Sequence, residues 1–385
     1  MSAPDSARLA GLLERLVGFD TQNPPGQEHA AAAMLAEELH GYGMEATARP
    51  VAHDGFPPRA NAVGILRNGP GPVICFNSHI DTVPVGVGWS SDPLRLVERG
   101  GKLYGRGACD AKGPIVAMAE ACRLLAADRS AWRGTVVAAF VADEELTSRG
   151  SKAVAAEFPP FDGVIVGEPT DNAVLSAHRG AVRPLIRVHG VTAHSSRPHL
   201  GVNAIDGAAH LLRAIRAYDH RINQRRHPLV GCACVSATQI QGGFADNIIP
   251  DRCDIVLDRR MVPAETTDDV LAELQTLLDE ARASDNVIAE LFQIRGMAAG
   301  CETPESDPVV QAALAAAQRN GASGELGGLT GGCDLVHFRS KGSPGVVLGP
   351  GSLDLAHKPD EYVPRAALAQ AAAIYRDIAL GMLGL

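Results

Sequence analysis

Histidines and acids stand just past the ends of several apolar runs in this chain, and their types suit metal chemistry. The run Val73-Ile-Cys-Phe76 leads into Asn77-Ser78-His79-Ile80-Asp81. The run Val136–Val141 stops at Asp143-Glu144-Glu145, and Val164-Ile-Val166 stops at Gly167-Glu168. A glycine-bearing loop ending in Asp110 runs into a helical stretch, and His357 lies near the other terminus. Alternate residues of a strand share a face, so His79 and Asp81 would make a ligand and its orienting carboxylate. Singly, each group has a plainer use: a strand-end His–Asp hydrogen bond, an N-cap at Asp110, a solvated turn at 143–145. Together they recur where ligands sit in open α/β sheets, outside the carboxyl ends of the strands. Two histidines with three or four carboxylates form an N/O donor set that fits zinc, cobalt or manganese. One carboxylate more than a single tetrahedral ion needs points to two ions sharing a bridge.

The elements that must carry these groups show in the hydrophobic pattern. Leu9, Leu12, Leu13, Leu16 and Val17 fall at helical spacing, with Asp5 or Ser6 as N-cap. A second helix is expected over 28–40, ended by Gly41 and Gly43. Apolar runs at Ala62–Leu66, Val73–Phe76, Val136–Val141 and Val164–Val166, with a helix at Ile115–Ala127, predict an α/β sheet, mixed but with mostly parallel strands. After residue 178 the rhythm changes. A strand at Ala181–His189, a helix over 201–218, strands over 232–241 and 252–259, a helix over 267–284 and a strand over 287–293 follow the order of a ferredoxin-like sandwich. An Ala-rich helix from Pro308 and the run Gly345–Leu348 resume the first style. The expectation is one α/β domain, 1–178 and 295–385, holding the metal site and interrupted by an α+β domain at 179–294.

Six motifs then carry a resemblance: HIDTVP from His79, GRGACDAKG from Gly105, DEE from Asp143, GEPT from Gly167, AHSSRP from Ala193 and AHKPDE from Ala356. In this order and spacing they resemble the M20 family of metallo-aminoacylases and peptidases over nearly the whole chain. The group of acetylornithine deacetylase and succinyl-diaminopimelate desuccinylase lies within it. The resemblance implies a zinc-peptidase catalytic domain with an inserted lid and dimerisation domain, two divalent ions with zinc foremost, and a homodimer through the insert. Asp110 would bridge the ions, His79 and Glu168 would complete one site, and Glu145 and His357 the other. Asp81 would orient His79, and Glu144 would be the general base. His194 would reach the reacting centre in the closed form, from the other subunit in dimeric members. Arg260, Asn247 and Arg179 would meet the substrate, Arg260 at its carboxylate. Gly331 and Gly332 belong to a glycine-rich loop whose amides suit an anion. The implied reaction is hydrolysis of the amide of an N-acyl amino acid; a dipeptidase or carboxypeptidase of the same fold is the alternative. A desuccinylase is less favoured, because Gly332-Cys333 stands before Asp334 where such enzymes carry Thr-Ser. A metal-free binding module would show gaps in the ligand set, and the motifs have none.

The bulk numbers narrow the classes. At 385 residues with a net charge of −9, the chain is not built to grip nucleic acid or an anionic membrane. Its 46% hydrophobic and 21% charged residues are ordinary for a soluble globular protein. None of the eight cysteines forms a CxxC pair, which suits reduced thiols and a cytoplasmic setting. Asp5 and Glu14 argue against a signal peptide, and no apolar run reads as a membrane span.

Overall fold

The computed structural model describes residues 3–52 and 58–384. In chain order its principal strands are β1 (Glu45–Val51), β2 (Arg59–Asn68), β3 (Val73–His79), β4 (Gly134–Val141), β5 (Gly163–Val166), β6 (Val174–His178), β7 (Gly180–His189), β8 (Cys234–Gly242), β9 (Arg252–Met261), β10 (Ile288–Ala298) and β11 (Gly345–Val347). Its helices are α1 (Ser6–Val17), α2 (His29–Gly41), α3 (Lys112–Ala127), α4 (Arg149–Glu157), α5 (Ala204–Ile222), α6 (Thr267–Asp285), α7 (Pro308–Arg319), α8 (Leu335–Arg339) and α9 (Arg365–Leu383). The chain divides into two compact units, Met1–Ser176 with Thr303–Gly327 and Cys333–Leu385, and Ala177–Glu302 with Gly328–Gly332.

In the first unit the sheet runs β1-β2-β4-β3-β5-β11-β6. Its centre is parallel: β3 pairs with β4 and β5, and β5 with β11. The flanking pairs, β1 with β2, β2 with β4 and β11 with β6, are antiparallel. Strands β3 and β4 are buried along nearly their whole length. Strands covered on both faces need unbroken apolar sequence, which is why these runs stood out. Asp5 caps α1, its Oδ1 accepting from the amides of Ala7 and Arg8 at 2.9 and 3.2 Å. Helix α3 is buried almost all round, against α1, α9 and β3.

Helix α9 bears on the membrane reading. By length and composition alone it could cross a membrane, although charged residues break its apolar runs. Yet Leu368, Ala371, Ala372, Ile374, Tyr375 and Ile378 lie in the core, where α9 packs on α3 and α7. A small sheet pairs Tyr362–Pro364 with Lys102–Tyr104, setting Glu361 beside the Gly105 turn.

The second unit is an antiparallel sheet, β8-β9-β7-β10, with α5 and α6 packed on it. This is the order of a ferredoxin-like sandwich. Val182, Ile186, Leu211, Ile215, Leu274 and Leu277 belong to its core. Residues 328–332 group here, the Arg179 amide donating to the Leu329 carbonyl at 3.2 Å.

Trp132 offers a test of the first core. It is fully buried, and its indole N–H donates to the Leu125 carbonyl at 3.0 Å, closing the end of α3. Trp132→Ala should cost about 3–5 kcal/mol, read as a lowered denaturant midpoint. A loss under about 1 kcal/mol would contradict this packing.

Candidate metal centre

Three parallel strands end side by side, and each delivers a group to one place. In register, His79 at the end of β3 lies opposite Val141 of β4, and Asn77 opposite Val166 of β5. His79 itself, the turn after β4 and the turn after β5 therefore emerge together. The Asp110 turn, just before α3, joins them. The Ser78 hydroxyl lies between the carbonyls of Gly167, at 2.9 Å, and Ala111, at 3.2 Å, tying the Glu168 turn to the Asp110 turn. Asp110 is not an N-cap: Ala111 holds that position, with no side-chain cap.

Asp110 stands between two half-clusters. Its Oδ1 lies 3.1 Å from His79 Nε2, and its Oδ2 lies 3.4 Å from His357 Nε2. Beyond His79, Glu168 Oε1 is 4.0 Å from the same nitrogen. Beyond His357, Glu145 Oε2 is 3.3 Å from its Nε2. The donor atoms of His79, Asp110 and Glu145 all lie within 4.8 Å of one another. Ligands bonded at about 2.0–2.1 Å to one tetrahedral ion would sit about 3.3 Å apart, so this spacing fits a cation on either side of Asp110. The fit is also chemical: Glu145 Oε1 is buried and has no hydrogen-bond partner among the described residues.

The electrostatics say the same. Burial, then the neighbouring acids, pushes the Glu144 and Glu168 carboxyls well above the usual range, and Glu145 upward. Burial works against a charge on His79, but the hydrogen bond to Asp110 and the surrounding acids push it well up. Hydrogen bonds to Asp110 and Glu145 raise His357 to about 10. Burial resists ionisation of Asp110, yet the two imidazoles hold its carboxyl below the usual range. A cluster that gathers protons in this way is one where divalent cations would displace them.

The turn after β4 explains how two adjacent glutamates share one site. Asp143 adopts a φ of 70°, so the chain leaves the strand's alternation at once. The Asp81 carboxylate then accepts both following amides, Glu144 N–H at Oδ1 (3.0 Å) and Glu145 N–H at Oδ2 (3.1 Å). His79 is oriented differently from the sequence expectation. Its Nδ1 donates to the backbone carbonyl of Asp81 at 2.9 Å, while the carboxylate is 3.7 Å away. This leaves Nε2 facing Asp110 as the donor atom. The carboxylate is free to clamp the glutamate turn instead.

Behind that clamp lies a buried polar network that the sequence did not announce. Asn23 Nδ2 donates to Asp81 Oδ2 at 2.8 Å and to Asp143 Oδ1 at 3.1 Å. Arg59 donates to Asp143, to Asn23 Oδ1 and to the Pro25 carbonyl. Glu28 is fully buried 3.5 Å from Arg59, with no hydrogen bond to either oxygen among the described residues. Asp334 was also missed. It accepts from the Ser151 hydroxyl, and burial pushes its carboxyl to about 6. Its position after the Gly331-Gly332-Cys333 loop was the available signal.

The remaining expected residues lie in the second unit. His194 is exposed, its Nδ1 accepting from the Ser196 hydroxyl (2.8 Å) and amide (3.1 Å). It neighbours Asn247, whose carbonyl accepts from the Ser195 amide at 2.9 Å. Arg260 pairs with Asp258 at 2.6 Å, and Arg179 donates to the Val230 carbonyl at 2.7 Å. A Cβ at Gly332 would lie 3.3 Å from the Arg179 carbonyl, whereas one at Gly331 would meet open space.

Comparison with known proteins gives this geometry a context. The model of peptidase family M20/M25/M40 matches residues 75–381. Acetylornithine deacetylase of Photorhabdus laumondii is 30% identical over 338 residues, covering 86% of this chain and 84% of that protein. The crystal structure of aminopeptidase PepT from Bacillus cereus superposes with a TM-score of 0.81 at 21% identity, covering 98% of this chain and 99% of that one. The YXEP protein of Bacillus subtilis, described as a dinuclear metal-binding peptidase of the M20 family, gives 0.76 at 18% identity over 98% of each chain.

Glu28 yields a prediction. Burial, then the charge of Asp81, raises its carboxyl from 4.5 to about 7. The folded chain therefore keeps a proton that the unfolded chain has released, and stability falls as pH rises from 4.5 through 7. Glu28→Gln should match the wild type near pH 4 and exceed it by about 2–3 kcal/mol at pH 8. Equal denaturant midpoints at pH 8 would contradict this.

Proposed function

This chain belongs to peptidase family M20/M25/M40, and on that premise we propose that it hydrolyses the amide bond of an N-acyl amino acid, an N-acetyl amino acid first. It is a metal-dependent amidohydrolase of the M20 fold. The observation that carries the reading is Asp110, held between His79 with Glu168 and His357 with Glu145. The acetyl group is supported by relatives named acetylornithine deacetylase, 30–33% identical over 74–86% of this chain. The alternative, a dipeptidase or carboxypeptidase, draws on solved structures with those names, such as human carnosine dipeptidase 1 at 18% identity.

In the proposed site two divalent ions, zinc foremost, would be held by His79 and Glu168 and by Glu145 and His357, with Asp110 shared between them. When bound, such ions supply Lewis acidity to the scissile carbonyl and acidify water from about 15.7 towards about 7. The protein does the rest. Glu144, fixed by the Asp81 clamp on its amide, takes the proton of the attacking water and passes it to the leaving nitrogen. His79, its Nδ1 spent on the Asp81 carbonyl, presents Nε2 in one tautomer. Arg260 is the proposed contact for the substrate carboxylate, with Asn247, Arg179, Gly331 and Gly332 as further contacts and His194 for the oxyanion.

A homodimer through the second unit is proposed from its edge strands. Ile240 on β8 and Phe292 and Met297 on β10 are exposed, a surface a second copy would cover. A monomer mass by sedimentation at micromolar concentration would rule this out. Eight cysteines with no CxxC pair suit the proposed cytoplasmic setting.

A panel of N-acetyl, N-succinyl and dipeptide substrates, assayed with zinc and with cobalt, separates the readings. N-acetyl amino acids should turn over fastest; a dipeptide hydrolysed at least about tenfold faster would replace the deacylase by the peptidase reading. Glu144→Ala should keep its metal and lose about 10²–10⁴-fold in kcat. Full activity in that variant would remove Glu144 from the mechanism.

A further inference from the structure

A buried ion pair outside the ligand set joins three of the loops that carry it. Arg106 and Glu361 have enclosed side chains and face each other at 2.6 Å, Nη1 to Oε2. The other Glu361 oxygen, Oε1, accepts two successive amides, Cys109 N–H at 2.8 Å and Asp110 N–H at 2.9 Å. The guanidinium, over the Trp89 ring at 5.1 Å, reaches three carbonyls: Lys358 at 3.4 Å, Pro84 at 3.3 Å and Val85 at 3.2 Å. Lys358 follows His357, and Pro84 and Val85 lie on the loop that begins at His79.

We infer that the Arg106–Glu361 pair is a positioning device that sets metal affinity by holding the His79, Asp110 and His357 loops in register. The inference rests on the metal reading above. Its physical basis is geometric. Asp110 must turn its two oxygens toward different imidazoles, and its side chain swings with its peptide plane. Two hydrogen bonds from successive amides to one carboxylate fix that plane, and charge makes them strong. Arg106 then fixes the carboxylate and ties it to the neighbours of the other two ligands. Glu361 stands to the Asp110 turn as Asp81 stands to the Glu144-Glu145 turn.

The test is uptake of Zn²⁺ by metal-free protein in competition with a chromogenic chelator. Glu361→Gln puts an amide donor where only acceptors are wanted. Arg106→Lys keeps the charge but cannot span the three carbonyls, and it carries the test if Glu361→Gln does not fold. Both variants should bind zinc about 10–100-fold more weakly than wild type. Glu120→Gln is the control. Glu120 is a buried carboxylate that accepts the Asp5 amide and Arg123 away from the metal cluster, so its loss should lower thermal stability with zinc affinity unchanged. Wild-type affinity in both pair variants overturns the inference, as does an equal affinity loss in Glu120→Gln. Wild-type protein that takes up no divalent ion overturns the metal reading and this inference with it.

Discussion

Carboxylates packed together out of water repel one another, and the first unit gathers many at the carboxyl ends of three parallel strands. Asp81, Asp110, Asp143, Glu168, Asp334 and Glu361 are all buried there, with Glu144 and Glu145 half-buried beside them. Isolated charges cannot be buried at tolerable cost, so each must find donors or cations. The structure sorts them by what satisfies them. Asp81 and Glu361 take backbone amides in pairs, and Arg59 and Arg106 take Asp143 and Glu361. Among the described residues, Asp110, Glu145 and Glu168 are left with imidazoles alone, in the spacing that two cations would fill.

This division also separates holding from reacting. Groups saturated by amides and guanidiniums are rigid, because moving them would break charge-assisted hydrogen bonds in a low-dielectric setting. They lie behind the candidate ligands and fix the backbone that presents them. Glu144 has no such saturation. Its amide is clamped while its carboxyl faces the charges of His79, Asp334 and Glu168. The proposed role of Glu144 as general base asks for a fixed backbone and an unsaturated head, and this turn has both.

The addresses of the acids and histidines were readable because a covered parallel strand must be apolar, so a polar residue at its end is conspicuous. The two-domain rhythm was readable for a similar reason: βαββαβ order survives in the pattern of periods. Elements whose residues look ordinary were not readable. Helix α9, the short helix α4 and strand β1 lack a sharp pattern, and packing alone makes them what they are. The clamp roles were hidden too. Nothing in HIDTVP distinguishes the carbonyl of Asp81 from its carboxylate. Yet one orients His79 and the other holds a turn reached after 62 more residues, from Asp81 to Asp143.

By itself the sequence pointed to candidate donors, to the strand ends that carry them, and to an inserted α+β unit, since these follow from residue type and period. Only the tertiary structure decided which oxygen meets which nitrogen. It alone brings Arg106 and Glu361 together across 255 residues, and it turns Asp143 so that the adjacent Glu144 and Glu145 reach one site. Pattern encodes which face a residue prefers. Partnership between distant loops depends on the burial they share, and that exists only once the chain has folded.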